Sequence, residues 1–147
     1  MLKRFAGITL AVVLIGHSLI HLGIIPGGLP GPDGKTGWSG ASWLLDRFLA
    51  SPVIHAIGVL LLAATILFYV AGSLGLLGVP FLKERWKMAT IAGSIASLLL
   101  FAVTWTGLLP NPMDAVWGPV ISDIVLIGLL VDELVEHGIR VKHAPGL

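Results

Sequence analysis

Four long apolar runs, at about residues 5–25, 53–79, 88–109 and 115–131, constrain this chain more than any other feature. Each approaches or exceeds the ~20 residues a helix needs to cross a ~30 Å hydrocarbon core. Lipid offers no water to backbone N–H and C=O groups, so each run must satisfy them internally as a helix. Composition agrees: 12% of residues are charged, against about 25% in an ordinary soluble domain, and mean hydropathy is +0.96. The expectation is an all-α polytopic four-helix bundle, one integral membrane domain over residues 1–147. Its helices lie at about 5–25, 53–79, 88–109 and 115–133, with an outer loop at 26–52 and a tail at 134–147.

The first run follows Lys3 and Arg4 as a signal peptide would. It lacks an A-x-A-like cleavage site, is too long for a usual apolar h-region and carries two histidines, so it reads as a retained helix. Positive charge orients the bundle. Lys3 and Arg4 precede span 1, Lys83, Arg85 and Lys87 join spans 2 and 3, and Arg140 and Lys142 follow span 4. Only Lys35 and Arg47 fall on the other side. Both termini are therefore expected in the cytoplasm, with the 26–52 loop and the "PNPMD" turn (110–114) facing outward. A net charge of +1 without a basic run gives no footing for nucleic acid. The absence of cysteine excludes disulfides, thiolate metal sites and cysteine-held iron–sulfur clusters.

In the outer loop, glycines at 31, 34, 37 and 40 recur every third residue, too briefly and with too little proline for collagen. "GGLPGPDGKT" imitates a phosphate-binding loop, but Leu29 stands where the pattern needs its first glycine and no strand is expected before it. "ASWLLDRFLAS" reads as a short amphipathic helix at the outer interface, with Trp38 and Trp43 as aromatic anchors. Trp86 fits an inner aromatic belt. Past the membrane, helix 4 continues into the tail, where Glu136 and Arg140 form an i,i+4 pair. Asp132 and Glu133 then lie at the inner interface.

Polar residues inside the spans carry the functional question. "IGHSLIHLG" places His17 and His21 one turn apart. At a rise of ~1.5 Å per residue, His17 lies ~10 Å and His21 ~5 Å below the outer boundary, and His55 a similar ~5 Å down span 2. Thr104, Trp105 and Thr106 reach a comparable level on span 3, and Asp123 lies ~13 Å into span 4. The inner half is apolar apart from Tyr69, Thr65 and a few small residues. Because a mid-bilayer carboxylate costs about 2.5–3.5 kcal/mol, Asp123 is expected to face the interior and meet His17 or His55. Pro119, four residues earlier, is expected to open a kink lined by carbonyls.

Three chemistries suit such a cluster. His17, His21, His55 and Asp123 are candidate ligands for a transition metal such as Zn, Cu or non-haem Fe. Haem would need axial ligands from opposite faces, so His17 or His21 would face His55, with Gly16, Gly23 and Gly58 leaving room. A quinol or lipid-like ligand would use His17, His55 and Asp123 as proton acceptors and Trp105 and Trp117 as walls. A plainer alternative treats an Asp–His bond as packing glue worth about 0.6 kcal/mol, with His21 and His55 merely interfacial. No motif names a reaction, so whether the chain is an enzyme stays open. Transport would need a homo-oligomer, because the polar residues stop halfway and the two halves show no inverted repeat. Gly72, Gly75 and Gly78, and Ala89, Gly93 and Ser97, form small-residue seams for close helix approach.

"GHSLIHLG", "ASPVIHAIGVLLLAATILF" and "KERWKMATIAG" together resemble a group of prokaryotic small multi-pass membrane proteins whose first helix reads H-G-L-I-H-L; position 18 here is Ser rather than Gly. The four-span layout is also loosely similar to DoxX-like membrane proteins, some of which are associated with quinone-linked oxidation. The resemblance implies a prokaryotic cytoplasmic membrane and supplies no site residues. The expected function is a small membrane protein that binds a metal, haem or quinol in a redox-linked role. The alternatives are an accessory subunit of a larger complex and an oligomeric small transporter.

Overall fold

A computed structural model describes the backbone of residues 2–25, 29–31 and 34–142, and the side chains of 5, 7–25 and 36–135. Helix α1 (Leu2–Ile20) tightens into a 3-10 turn over His21–Ile24. Strands β1 (Leu29–Gly31) and β2 (Gly34–Trp38) form a hairpin, followed by α2 (Ser51–Leu76) and α3 (Trp86–Thr104). A two-residue strand β3 (Leu108–Leu109) and a 3-10 turn over Pro112–Ala115 lead into α4 (Trp117–Lys142). All four helices are long and apolar enough to cross a membrane, as the apolar runs require.

The helix ends follow local chemistry. Pro52 lies in the first turn of α2, where a missing N–H costs nothing. Gly78 closes α2 at φ +92°, with its N–H on the Gly75 carbonyl and the Val79 N–H on the Leu74 carbonyl. That left-handed glycine cap satisfies the last carbonyls and turns the chain toward α3.

Packing then runs in a row. Each helix packs on the next, most extensively α2 on α3, while α1 and α4 approach each other little. The α2–α3 contact depends on missing side chains. A Cβ at Gly72 would strike the Thr90 hydroxyl, one at Gly75 the Leu82 carbonyl and Trp86, and one at Gly93 the Tyr69 ring. Between helices in lipid, such close approach replaces the hydrophobic drive that water would supply. At the end of the bundle away from the sheet, Lys87 Nζ pairs with Asp132 at 2.8 Å and Glu133 at 3.4 Å, tying α3 to α4.

Three sequence expectations about the sheet end of the bundle are corrected. An all-α description omits a three-stranded sheet, β1-β2-β3, in which Gly37 pairs with Leu109 and Trp38 with Leu108. The expected amphipathic helix over "ASWLLDRFLAS" is a run of turns instead. Two of its first amides are taken by side chains, Ser42 N–H donating to Asp46 Oδ2 and Trp43 N–H to Thr106 Oγ1, while those of Leu45, Asp46, Phe48 and Leu49 close turns onto backbone carbonyls. Trp43 is an exposed ring whose Nε1–H caps the Ala102 carbonyl near the end of α3, but Trp38 is no surface anchor. It is 1% exposed, seated in notches left by Gly58 and Gly107, and plugs the sheet end of the core with Ile54, Leu100 and Leu108.

Pro119 makes no kink. It lies in the first turn of α4, where no intrahelical donor is lost. The cations Lys3, Arg4, Lys35, Arg140 and Lys142, and the Glu136–Arg140 pair, fall outside the described side chains.

Candidate functional site

Most buried hydroxyls in this bundle are satisfied by their own helix. Thr65, Ser73, Thr90 and Thr104 each donate to the carbonyl four residues back. This is the inexpensive way to carry a hydroxyl through lipid. Three other serines, together with two histidines and the one tyrosine, form a network that crosses all four helices.

His21 Nδ1 lies 2.9 Å from the His17 carbonyl on α1, and its Nε2 lies 2.8 Å from Ser97 Oγ on α3. Ser97 Oγ is 2.8 Å from Ser122 Oγ on α4. Ser122 also meets His17 Nε2 at 3.0 Å and accepts from the Tyr69 hydroxyl of α2 at 3.1 Å. Tyr69 is in turn 3.1 Å from Ser94 Oγ. The rings pack edge to face: His17 stands 4.7 Å from His21 and 5.2 Å from Tyr69 between centroids. His17, Ser97 and Ser122 each lie near the centre of their spans. The polar layer is thus near the middle of the spans.

With both rings neutral, the hydrogen bonds assign both tautomers. A carbonyl can only accept, so His21 carries its proton on Nδ1 and its Nε2 accepts from Ser97. Ser97 has then spent its proton and must accept from Ser122, whose own hydrogen it shares with the Gly118 carbonyl at 3.1 Å. Ser122 has none left to give, so His17 donates to it from Nε2. The other nitrogen, His17 Nδ1, is left with a bare lone pair. It is the one buried side-chain nitrogen or oxygen among the described residues that has no partner.

His17 and His21 also form part of the wall of a cavity of about 300 Å³. The cavity fills the seam between α1 and α4 beneath the sheet, walled by Ile20, Phe101, Trp117 and Ile121, with Asn111 and Asp114 also lining it. Phe101 reaches this position because Gly118 has no side chain to obstruct its ring. The lining is apolar except for a few groups, the usual character of a small-molecule site.

The expected four-ligand set does not assemble. His17 and His21 come together. His55, near the N-terminus of α2, packs its ring 5.2 Å from Trp38 and against Gly40 (φ +93°), with Nδ1–H on the Ser51 carbonyl at 2.9 Å. Asp123 is exposed on the outer surface of α4, because one residue along a helix is a rotation of ~100° and Ser122 takes the inward position. Among the described residues, no group of three or more His, Cys, Asp or Glu side chains is placed to hold a metal ion. Trp117 lines the cavity and Trp105 does not; Trp105 packs against the apolar core.

Tyr69, Ser94, Ser97 and Ser122 are the site residues that the sequence reading did not select. Their signal was weak: small hydroxyl residues at mid-span look like seam residues. Comparison with known proteins found no matching family model, no matching curated protein and no matching solved structure.

Proposed function

We propose that this membrane protein binds a lipid-soluble small molecule of the quinol type in the cavity between α1 and α4. The carrying observation is the unpartnered His17 Nδ1 on a ring that walls a mostly apolar cavity. Natural proteins pair nearly all buried polar groups, so an orphan beside a cavity is the natural seat for a ligand's polar head. The α1–α4 seam gives such a molecule a route from the bilayer, since these two helices are not packed along their lengths. Our reading places the protein in a prokaryotic cytoplasmic membrane with both termini cytoplasmic. The clustered cations and the likeness of "GHSLIHLG" to small prokaryotic membrane proteins support that placement.

The test uses the purified protein in lipid nanodiscs, titrated with a short-chain benzoquinol under anaerobic conditions and read by calorimetry. Saturable binding is expected, weakened at least tenfold when Ile121→Trp fills the cavity. Lack of saturation, or equal binding by the filled variant, would sink this reading. Elemental analysis of the same sample checks the metal alternative, and stoichiometric Zn, Cu or Fe would favour it.

A second reading, an accessory subunit of a membrane complex, is favoured by Asp123. This carboxylate lies near the centre of a span and faces away from the bundle, where hydrocarbon would cost it about 2.5–3.5 kcal/mol. A neighbour with a hydrogen-bond donor would remove that cost. Photo-crosslinking from Ile127, one turn along the same face, tests this; a protein adduct is expected, and adducts with lipid alone would refute it.

A further inference from the structure

Resting on the cavity reading, we infer that the site selects by hydrogen-bond polarity. It takes a ligand whose head group donates a hydrogen bond, a quinol or phenol hydroxyl, and discriminates against the same skeleton with only acceptors, a quinone or an ether.

The selection follows from a proton count. Two carbonyls bracket the network, that of His17 at one end and that of Gly118 at the other, and neither can give a proton. Between them, each hydroxyl has one hydrogen and each neutral imidazole one. The Tyr69 hydroxyl donates to Ser122, and Ser97 donates to His21. Ser122 is committed to Ser97 and the Gly118 carbonyl. The His17 proton therefore has to be on Nε2, to serve the 3.0 Å contact to Ser122. Nδ1 is a pure acceptor. Moving the proton to Nδ1 would leave Nε2 and the Ser122 oxygen facing each other with lone pairs and no hydrogen between them.

A donor head group that reaches Nδ1 completes the network with its tautomers unchanged. An acceptor head group would meet a lone pair with a lone pair. To bind it at this ring, His17 would have to switch tautomer and give up the Ser122 bond. Sites built to pair a particular hydroxyl reject the analogue lacking it more strongly than apolar pockets reject a change of size. This property is distinct from the cavity's volume and greasiness, which a quinol, its quinone and its dimethyl ether satisfy about equally.

The experiment titrates those three probes separately on the unsubstituted protein in anaerobic nanodiscs, each tritiated: a short-chain benzoquinol with reductant present, and its quinone and its dimethyl ether without reductant. The quinol is expected to bind at least tenfold tighter than either. In His17→Phe, which keeps a ring but has no acceptor, the preference should collapse to within about twofold. Because the probe comparison is made on the native chain, it does not depend on that variant folding. Quinone or ether binding as tightly as quinol would overturn the polarity inference and leave the cavity reading standing. Absence of saturable binding for all three would remove the cavity reading itself. Histidine nitrogen NMR supplies an independent check. His17 is expected as the Nε2–H tautomer, and an Nδ1–H signal would overturn the assignment on which the selection rests.

Discussion

Ser122 holds the junction of the polar layer, with His17, Tyr69 and Ser97 all within 3.1 Å of its one oxygen. Ser122→Ala would leave a phenol and an imidazole without their acceptor and Ser97 without its donor. Buried groups stripped of partners cost about 1–3 kcal/mol each, though a relaxed network recovers part of that. The expected loss is about 1–3 kcal/mol in detergent unfolding, and an unchanged midpoint would refute the network as a stabilising element. Asp123→Leu is expected to act in the opposite sense on the isolated protein, because it removes an exposed carboxylate from a lipid-facing surface. A clear loss of stability in that variant would mean that Asp123 has a partner within the chain. These neighbours show where sequence reading stops. Counting residues from a span's end gives position along the helix, and that of His17 was legible. The direction a side chain faces is not, because α4 is apolar on so many sides that no stripe marks the interior. One step of ~100° separates the buried serine from the exposed aspartate.

At the scale of elements, small residues decide which helices touch. The seam of Ala89, Gly93 and Ser97 was visible as strict four-residue spacing, and within the chain its Gly93 faces α2 while Ser97 meets α1 and α4. It does double duty: Gly93 admits the Tyr69 ring, and Ser97 reaches His21. Gly93→Leu should therefore separate α2 from α3 and displace Tyr69 from Ser94 and Ser122 together. A loss of about 2–3 kcal/mol is expected, in line with overpacking of a closed core. The readout is thermal unfolding, accompanied by a change in near-ultraviolet circular dichroism as the tyrosine leaves its setting; a variant matching the wild type in both would disprove the seam. The outer sheet was far less legible. Its strands span two to five residues in a Gly- and Pro-rich stretch, where alternation has no room to register. Trp38 looked like a membrane anchor for the same reason. An aromatic in such a loop signals an interface by composition, and only the notches at Gly58 and Gly107 reveal it as a plug.

At the scale of the whole molecule, the remaining question is which end faces which compartment, and the ion pairs bear on it. Lys87 is one of the cations that set the orientation, yet Asp132 and Glu133 both lie within 3.4 Å of it. That pairing does not weaken the assignment, because the orienting bias counts Lys and Arg near span ends and acidic residues contribute little. Lys83 and Arg85 lie in the same short connection, with the Arg85 guanidinium 5.4 Å from the Phe81 ring. This end is expected inside, and the sheet-capped end with the cavity outside. The chain has no cysteine, so single introduced thiols report without background. Ser39→Cys, on the exposed outer loop, should react with a membrane-impermeant maleimide in intact cells, and Glu84→Cys only after permeabilisation. Both positions are exposed, so burial would not mask either. The reverse pattern would invert the bundle and place the α1–α4 cavity in the cytoplasmic leaflet. A ligand would then have to reach His17 from the opposite side of the membrane.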